Sequence, residues 1–419
     1  MSAYKLLIVF FFFTLNIFSQ FKVDADIRNR FEYRHGFNNL FPNNVDPAAF
    51  DVQRTRLNLS YMQDKLTVFV SIQDISTWGD TQQIAASDTN SSLSLFQGWF
   101  QYQMSEQWAL KMGRQVLSYD NQRILGGLDW AMQGRFHDLA LFKYKKENLI
   151  MDFGLAFSQQ NQRREDTDFL IQGAFTYKTM QFAYLRKDFE NWKLSFLFLN
   201  NGFQNLTGPN NTVADGVSNK QTSGFYSKFP IGKINFEGHA YYQFGKANKT
   251  TDMAAYNLAL EGIYKVNKTT YGLGLEILSG TDQAGATKNN SFFPLYGTNH
   301  KFNGFMDYFY VANHANNVGL NDFYAKAVFK TGEKSTFLTK LHYFNANADL
   351  LNDVDQYLGT EVDFVYTQKI SKDIKMNIGY SHMFAADSMS LIKGGRPSDN
   401  TNNWAWFQFT VRPTIFMSK

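Results

Sequence analysis

Residues 22–35, KVDADIRNRFEYRH, carry two opposite chemistries at a spacing of two. Val23, Ala25, Ile27, Phe31 and Tyr33 share one side, with Asn29 the exception, while Lys22, Asp24, Asp26, Arg28, Arg30, Glu32 and Arg34 share the other. Successive side chains of a β-strand leave opposite faces, so this run reads as a strand. A row of seven charges requires water. The apolar side then needs either a protein core or lipid, and that choice separates a soluble sheet from a membrane barrel.

The same alternation recurs along the chain. It sets Leu57, Leu59 and Tyr61 against Arg54, Arg56 and Asn58, and Val68, Val70 and Ile72 against Thr67, Phe69, Ser71 and Gln73. It returns in 149–157, 233–244, 256–265, 361–366 and 404–412, where Trp404, Trp406, Gln408, Thr410 and Arg412 oppose Ala405, Phe407, Phe409 and Val411. No helical stripe competes with it after the N-terminus. Short breaks, such as Asp64-Lys65 and Asn267-Lys268, alternate with long ones near 36–50, 75–94, 118–134, 158–178, 202–218, 280–318 and 385–402. Shorter members of the long class fall near 245–253 and 346–357. The runs between them number about eighteen, an even count that suits a transmembrane antiparallel β-barrel with short periplasmic turns and long extracellular loops. Tyr33, Tyr61, Trp108, Tyr144, Tyr264 and Tyr366 fall at strand ends on the lipid side, as interfacial girdles require. Three stretches resist the pattern, and in one of them, 135–144, either phase can be argued. Arg114 shares its phase with Trp108, Leu110 and Met112, which calls for a bulge near Gly113 or an early strand end, and 168–187 holds one strand or two.

The N-terminus, MSAYKLLIVFFFFTLNIFSQ, has Lys5 before an apolar stretch from Leu6 to Phe18 and reads as a secretory signal peptide, residues 1–20, cleaved near Gln20. Residues 21–419 then form a single barrel domain in the outer membrane of a Gram-negative bacterium. Of 419 residues 17% are aromatic, which suits lipid-facing strands, and none is Cys, which excludes disulfides and thiolate metal sites. A net charge of +4 does not suggest a nucleic-acid partner.

No nucleophile elbow, zinc-protease helix motif, P-loop or dinucleotide fingerprint is present. The seven His are scattered, and His300 and His314 lack metal-ligand spacing, so neither a metal nor a cofactor is expected. An outer-membrane hydrolase would need Ser, His and an acid brought together at one rim. What remains is a wide lumen. A barrel of about eighteen strands encloses an aqueous channel, and charged rings set selectivity in such pores. The inward arginines Arg28, Arg30, Arg34, Arg54 and Arg56 suggest a path for carboxylates, because a guanidinium binds a carboxylate at two points. Asp24, Asp26 and Glu32 on the same face leave open a purely structural reading, in which neighbouring charges neutralise one another. A plugged barrel, its lumen closed by 118–134 or 280–318, is a further alternative.

Residues 110–144, LKMGRQVLSYDNQRILGGLDWAMQGRFHDLALFKY, sharpen this. Gly113, Arg114 and Gln115 end a strand, Gln122-Arg123 and Leu128-Asp129-Trp130 follow, and Arg135 and Asp138 open the return strand. The block resembles the signature of the alginate export family of outer-membrane barrels. The openings Ile27, Arg28, Arg30, Glu32, Arg34 and Arg54, Arg56, Leu57 fit it too, as does FPLYGTNHKFNGFMDYF at 293–309. The resemblance implies an eighteen-stranded barrel with an electropositive constriction that passes a uronate polymer outward, with export partners on the periplasmic side. It implies pore roles for Arg114, Arg123 and Arg135 beside Arg28, Arg30, Arg34, Arg54 and Arg56, with Asp129, Trp130 and Asp138 in the constriction loop. The structural alternative is that Arg123 and Arg135 pair with Asp120, Asp129 or Asp138 and hold the 118–134 loop inside the pore.

Overall fold

The computed structural model describes residues 20–84, 93–173, 175–309 and 317–418. The signal-peptide reading of residues 1–19 and His314 lie outside them. The strands are β1 (Gln20–His35), β2 (Ala48–Gln63), β3 (Leu66–Thr77), β4 (Ser94–Gln103), β5 (Trp108–Gln115), β6 (His137–Lys146), β7 (Leu149–Phe157), β8 (Thr179–Asp188) and β9 (Lys193–Thr207). They continue as β10 (Val213–Ile231), β11 (Ile234–Lys246), β12 (Asp252–Val266), β13 (Thr269–Leu278), β14 (Leu320–Lys330), β15 (Ser335–Asn345), β16 (Tyr357–Lys369), β17 (Ile374–Ala385) and β18 (Asn402–Val411). Each pairs antiparallel with the next, and β1 closes the ring on β18 from Ile27↔Val411 to His35↔Asn403. Pro413 interrupts the last strand because it lacks an N–H for the ladder. A short continuation, Thr414–Met417 (β19), resumes the pairing with β1 after a register shift between Val23 and Asp24. The result is a closed antiparallel barrel of eighteen spanning strands.

Burial is inverted relative to a soluble protein. On β1 Ile27 is 39% exposed whereas Arg28 beside it is 4% exposed. The apolar belt therefore faces lipid and the charges face the lumen, as the dyad pattern requires. A charge placed on the belt tests this. Ile27→Arg is expected to lower folding stability by roughly 2–4 kcal/mol near the bilayer midplane, read from denaturant titration of refolding into vesicles. A change near zero would show that Ile27 does not face lipid.

Two local expectations need correction, at 202–218 and in β5, and the count left open at 168–187 is settled. The long 202–218 connection is instead a hairpin, with β9 and β10 running on to a turn at 208–212 and a register shift between Ala214 and Val217. Residues 168–187 hold one strand, β8, because 168–173 and 175–178 are loop. No bulge occurs in β5, which pairs with β6 in unbroken register from Trp108↔Tyr144 to Gln115↔His137. Gly113 adopts φ +121°, and a Cβ there would lie 2.3 Å from the Gly98 carbonyl oxygen, so the backbones approach without a phase change.

A hydrophobic core exists, but it lies inside the barrel. Leu117, Ile124, Leu125, Leu295, Tyr296, Met306 and Tyr308 are almost wholly buried, and all belong to the 116–136 and 279–319 loops. The two loops pair in parallel at Leu125↔Tyr296. Gly126 donates to the Tyr296 carbonyl at 2.8 Å, Tyr296 to that of Ile124 at 3.0 Å, and Thr298 to that of Gln122 at 2.9 Å. Gly297 permits this approach, since a Cβ there would meet the Arg123 carbonyl oxygen at 2.2 Å.

Candidate functional site

The lumen face of β1, β2 and β18 is a basic strip. Register sets Arg28 directly opposite Arg54 and Asp26 opposite Arg56. Two like charges across neighbouring strands repel, and the loop between β5 and β6, residues 116–136 and the third long loop of the chain, supplies the counter-charge. Asp129 Oδ2 accepts from Arg28 at 2.9 Å and from Arg412 at 3.2 Å, and its Oδ1 lies 3.3 Å from Arg54. Asp26 Oδ2 accepts from Arg54 at 2.9 Å and from Arg412 at 3.0 Å. Further along the strip, Glu32 takes Arg30 and Arg34, both at 2.8 Å, and the Trp404 indole N–H at 3.0 Å.

The same loop covers the strip with backbone oxygens. Arg28 donates to the Asp129 carbonyl, Arg30 to that of Trp130 at 3.0 Å, and Arg54 to that of Met132 at 3.2 Å. Among the described residues Arg56 has no carboxylate partner. It donates to Gln73 at 2.9 Å and to the Gln133 carbonyl, and it lies 3.6 Å above the Phe96 ring. Trp130 is clamped between the Arg30 guanidinium at 4.1 Å and the His300 ring, stacked at 4.2 Å. Five guanidiniums thus share three carboxylates, Asp26, Glu32 and Asp129, and Arg56 adds a sixth guanidinium to the strip. Burial alone would push the Asp129 carboxyl up, but Arg28 and Arg54, then the Arg28 hydrogen bond and Arg412, hold it down at about 2.

Arg28, Arg30, Arg54 and Arg56 are buried beneath the loop. The strip meets open water at its ends. The Arg34 side chain is 36% exposed and borders an extracellular cleft of about 590 Å³ shared with Glu32, Phe37, Trp130 and His300. The Arg412 side chain is 48% exposed towards the other mouth.

Arg123 and Arg135 do not pair with Asp120, Asp129 or Asp138. Arg123 lies 2.7 Å from Glu276 of β13, donates to Asn303 at 2.8 Å and to Asn299 at 3.2 Å, and covers the Phe302 ring at 4.5 Å. Arg135 donates to the Gly297 carbonyl at 2.8 Å and covers Phe175. Both therefore clamp the third loop to the 279–319 loop, and this anchor to a distant strand is why local sequence could not identify their partners. Arg114 and Asp138 are not in the lumen at all. They form a two-point pair at 2.9 and 3.0 Å beside Phe136 on the outer face, because Arg114 keeps the phase of Met112. Arg412 was visible as an inward residue of the last strand, yet only closure of the barrel brings it to Asp26 and Asp129. Glu276 and Asp322, which receive Asn303 at 2.9 and 3.1 Å, had no such signal.

A closed eighteen-strand barrel with a lipid belt and a charged, loop-narrowed lumen defines an outer-membrane, porin-like channel. Within that class, the chain belongs to the alginate export family, whose sequence profile matches residues 19–402. It is therefore a channel protein rather than an enzyme. Solved outer-membrane barrels share the fold. The outer membrane protein OpdK of Pseudomonas aeruginosa is similar at TM-score 0.63 and 9% identity, over 94% of this chain and 98% of that one. A BenF-like porin of Pseudomonas fluorescens Pf-5 gives 0.63 and 13%, over 94% and 99%. OccAB1 of Acinetobacter baumannii gives 0.62 and 14%, over 94% and 97%. No curated protein sequence matches the chain significantly.

Proposed function

We propose that the barrel passes carboxylate-bearing solutes, alginate-like uronates included, along the arginine strip of β1, β2 and β18, with the third loop as its gate. The carrying observation is the imbalance on that strip, where six guanidiniums meet three carboxylates. On the opposite wall the acids have their own basic partners, Lys228 for Glu237, Lys326 for Glu261, Arg123 for Glu276 and His342 for Asp322, so the excess of positive charge lies on the arginine side and would draw an anion there. Membrane lipid surrounds the belt, and export partners would meet the periplasmic turns.

The test is the reversal potential of the full-length protein in planar bilayers under a salt gradient. Anion preference is expected, and Arg28, Arg30, Arg54 and Arg56 changed together to Gln should cut it severalfold. Cation preference in the wild type, or no effect of the four changes, would sink the reading. The buried loop packing favours a second state, a barrel held closed until the third loop moves. That state predicts long silent periods broken by openings rather than steady current.

A further inference from the structure

At the short-turn end, a second basic feature lies apart from the arginine strip. Lys265, Lys268, Lys330, Lys334 and Lys369 surround a cleft of about 460 Å³ with Glu333 as the sole acid of its lining. That volume lies within the roughly 300–1,000 Å³ of small-ligand sites. Lys265, Lys330 and Lys369 come from three strands and Lys268 and Lys334 from two turns, and the turns are knitted together. Lys330 donates its backbone N–H to the Lys268 carbonyl at 2.8 Å, and Lys369 donates to that of Lys334 at 2.9 Å. Among the described residues, none of the five ammonium groups is in an ion pair. Elsewhere on this side of the barrel lysines do find acids, as in Lys228–Glu237 at 3.4 Å and in the pair Lys326–Glu261.

The cleft opens inward. Lys265, Lys330 and Lys369 share the lumen phase of their strands with Glu261, Lys326 and Asp363, and the Thr336 and Thr367 hydroxyls lie among them. A cluster meant for lipid headgroups would point outward. The charge also continues upward, since Lys369 pairs in register with Lys375, Lys375 with Thr410, and Arg412 follows two residues on. The basic surface therefore runs from the periplasmic mouth to the exposed end of the arginine strip.

We infer that this lysine cleft is the periplasmic docking site for a carboxylated sugar segment, which it captures before transfer to Arg412. Ammonium groups on flexible stems give charge without fixed geometry, which suits capture of a chain in many orientations, and the threonine hydroxyls match sugar hydroxyls. The inference rests on the anion-path reading above and names where that path begins.

The experiment is equilibrium binding, which needs no current. Full-length protein in zwitterionic nanodiscs is titrated with a fluorescent uronic-acid tetramer and followed by anisotropy. Lys265, Lys268, Lys330 and Lys334 changed together to Gln should weaken binding about tenfold, the lower end of electrostatic capture effects. The same four changed to Arg should retain it, which separates charge from misfolding. Unchanged affinity in the Gln variant, or equal loss in the Arg variant, overturns the assignment. So does equal binding of a neutral glucose tetramer, or of a glutamate-rich peptide, since the latter would mark a protein-docking surface. Binding abolished by anionic lipid in the disc would assign the cleft to headgroups instead. If the tetramer binds as expected while bilayer currents prove cation-selective, the anion path fails and the cleft stands.

Discussion

Asp129→Ala is expected to loosen the third loop and raise both conductance and anion preference. The carboxylate serves three guanidiniums, from Arg28, Arg54 and Arg412. Its side chain is 57% exposed, so lumen water screens each attraction. At about 0.2–1 kcal/mol per exposed pair, the three together come to about 1–2 kcal/mol. That is a factor of roughly 5–30 in the open fraction of the loop. Removal also leaves Arg28 facing Arg54 across the β1–β2 ladder with Asp26 beside Arg54, while Glu32 stays with Arg30 and Arg34. The pH dependence has a definite sign. The folded carboxyl, at about 2, lies below its unfolded value of about 3.9. Its contribution is therefore complete above about 3.9 and is lost as pH falls through about 2. Open probability governed by Asp129 should be flat from pH 8 to 5 and rise below pH 3. The Ala variant should show the high value throughout. Single-channel recording at pH 7, 5 and 3 checks this, and an Ala variant that gates like the wild type would show that Asp129 does not latch the loop.

The fold was legible because the barrel wall obeys a period of two that each strand displays by itself. Val23 through Tyr33 outward and Lys22 through Arg34 inward needed no tertiary information. Arg114 shows where the pattern should have overruled analogy. Its phase matched Met112 and lipid, and the resemblance moved it to the pore, whereas Asp138 opposite it completes a pair on the outer face. The lumen interior was far less legible. Arg123 and Glu276 are 153 positions apart in sequence, and Asp129 meets Arg412 only through closure of β18 on β1. Loop residues inside a lumen have no periodicity, so Leu125 and Tyr296 gave no sign that they would pair. The choice between an anion path and a neutral ladder also changes form. The arginines are partly neutralised by Asp26 and Glu32 of β1, yet the third counter-charge, Asp129, and the covering carbonyls of Asp129, Trp130, Met132 and Gln133 come from one loop, so the same contacts that hide the path also define what must move to open it.

The largest loss of stability is expected from Arg123→Ala. Arg123 and Glu276 are both almost wholly buried and 2.7 Å apart. Removing the guanidinium leaves Glu276 with neutral donors, Asn257 at 3.0 Å and Asn303 at 2.9 Å, and with His239 at 3.6 Å. Breaking one partner of a buried pair costs about 3–5 kcal/mol. The same change cuts the ties to Asn299 and Asn303, so the third loop should part from the 279–319 loop. Two readouts separate these effects. Urea unfolding in detergent micelles gives the stability. The chain contains no Cys, so Leu295→Cys, at a fully buried position, reports loop separation through thiol labelling. Arg123→Ala should lower stability by about 3–5 kcal/mol and speed labelling strongly. Arg123→Met with Glu276→Gln should recover more than half of the stability, because the uncompensated charge is gone, and their coupling measures the pair itself. A single variant within about 1 kcal/mol of the wild type, with its thiol still protected, would show that the loops hold together without this ion pair and that the hydrophobic contacts of Leu125 and Tyr296 suffice.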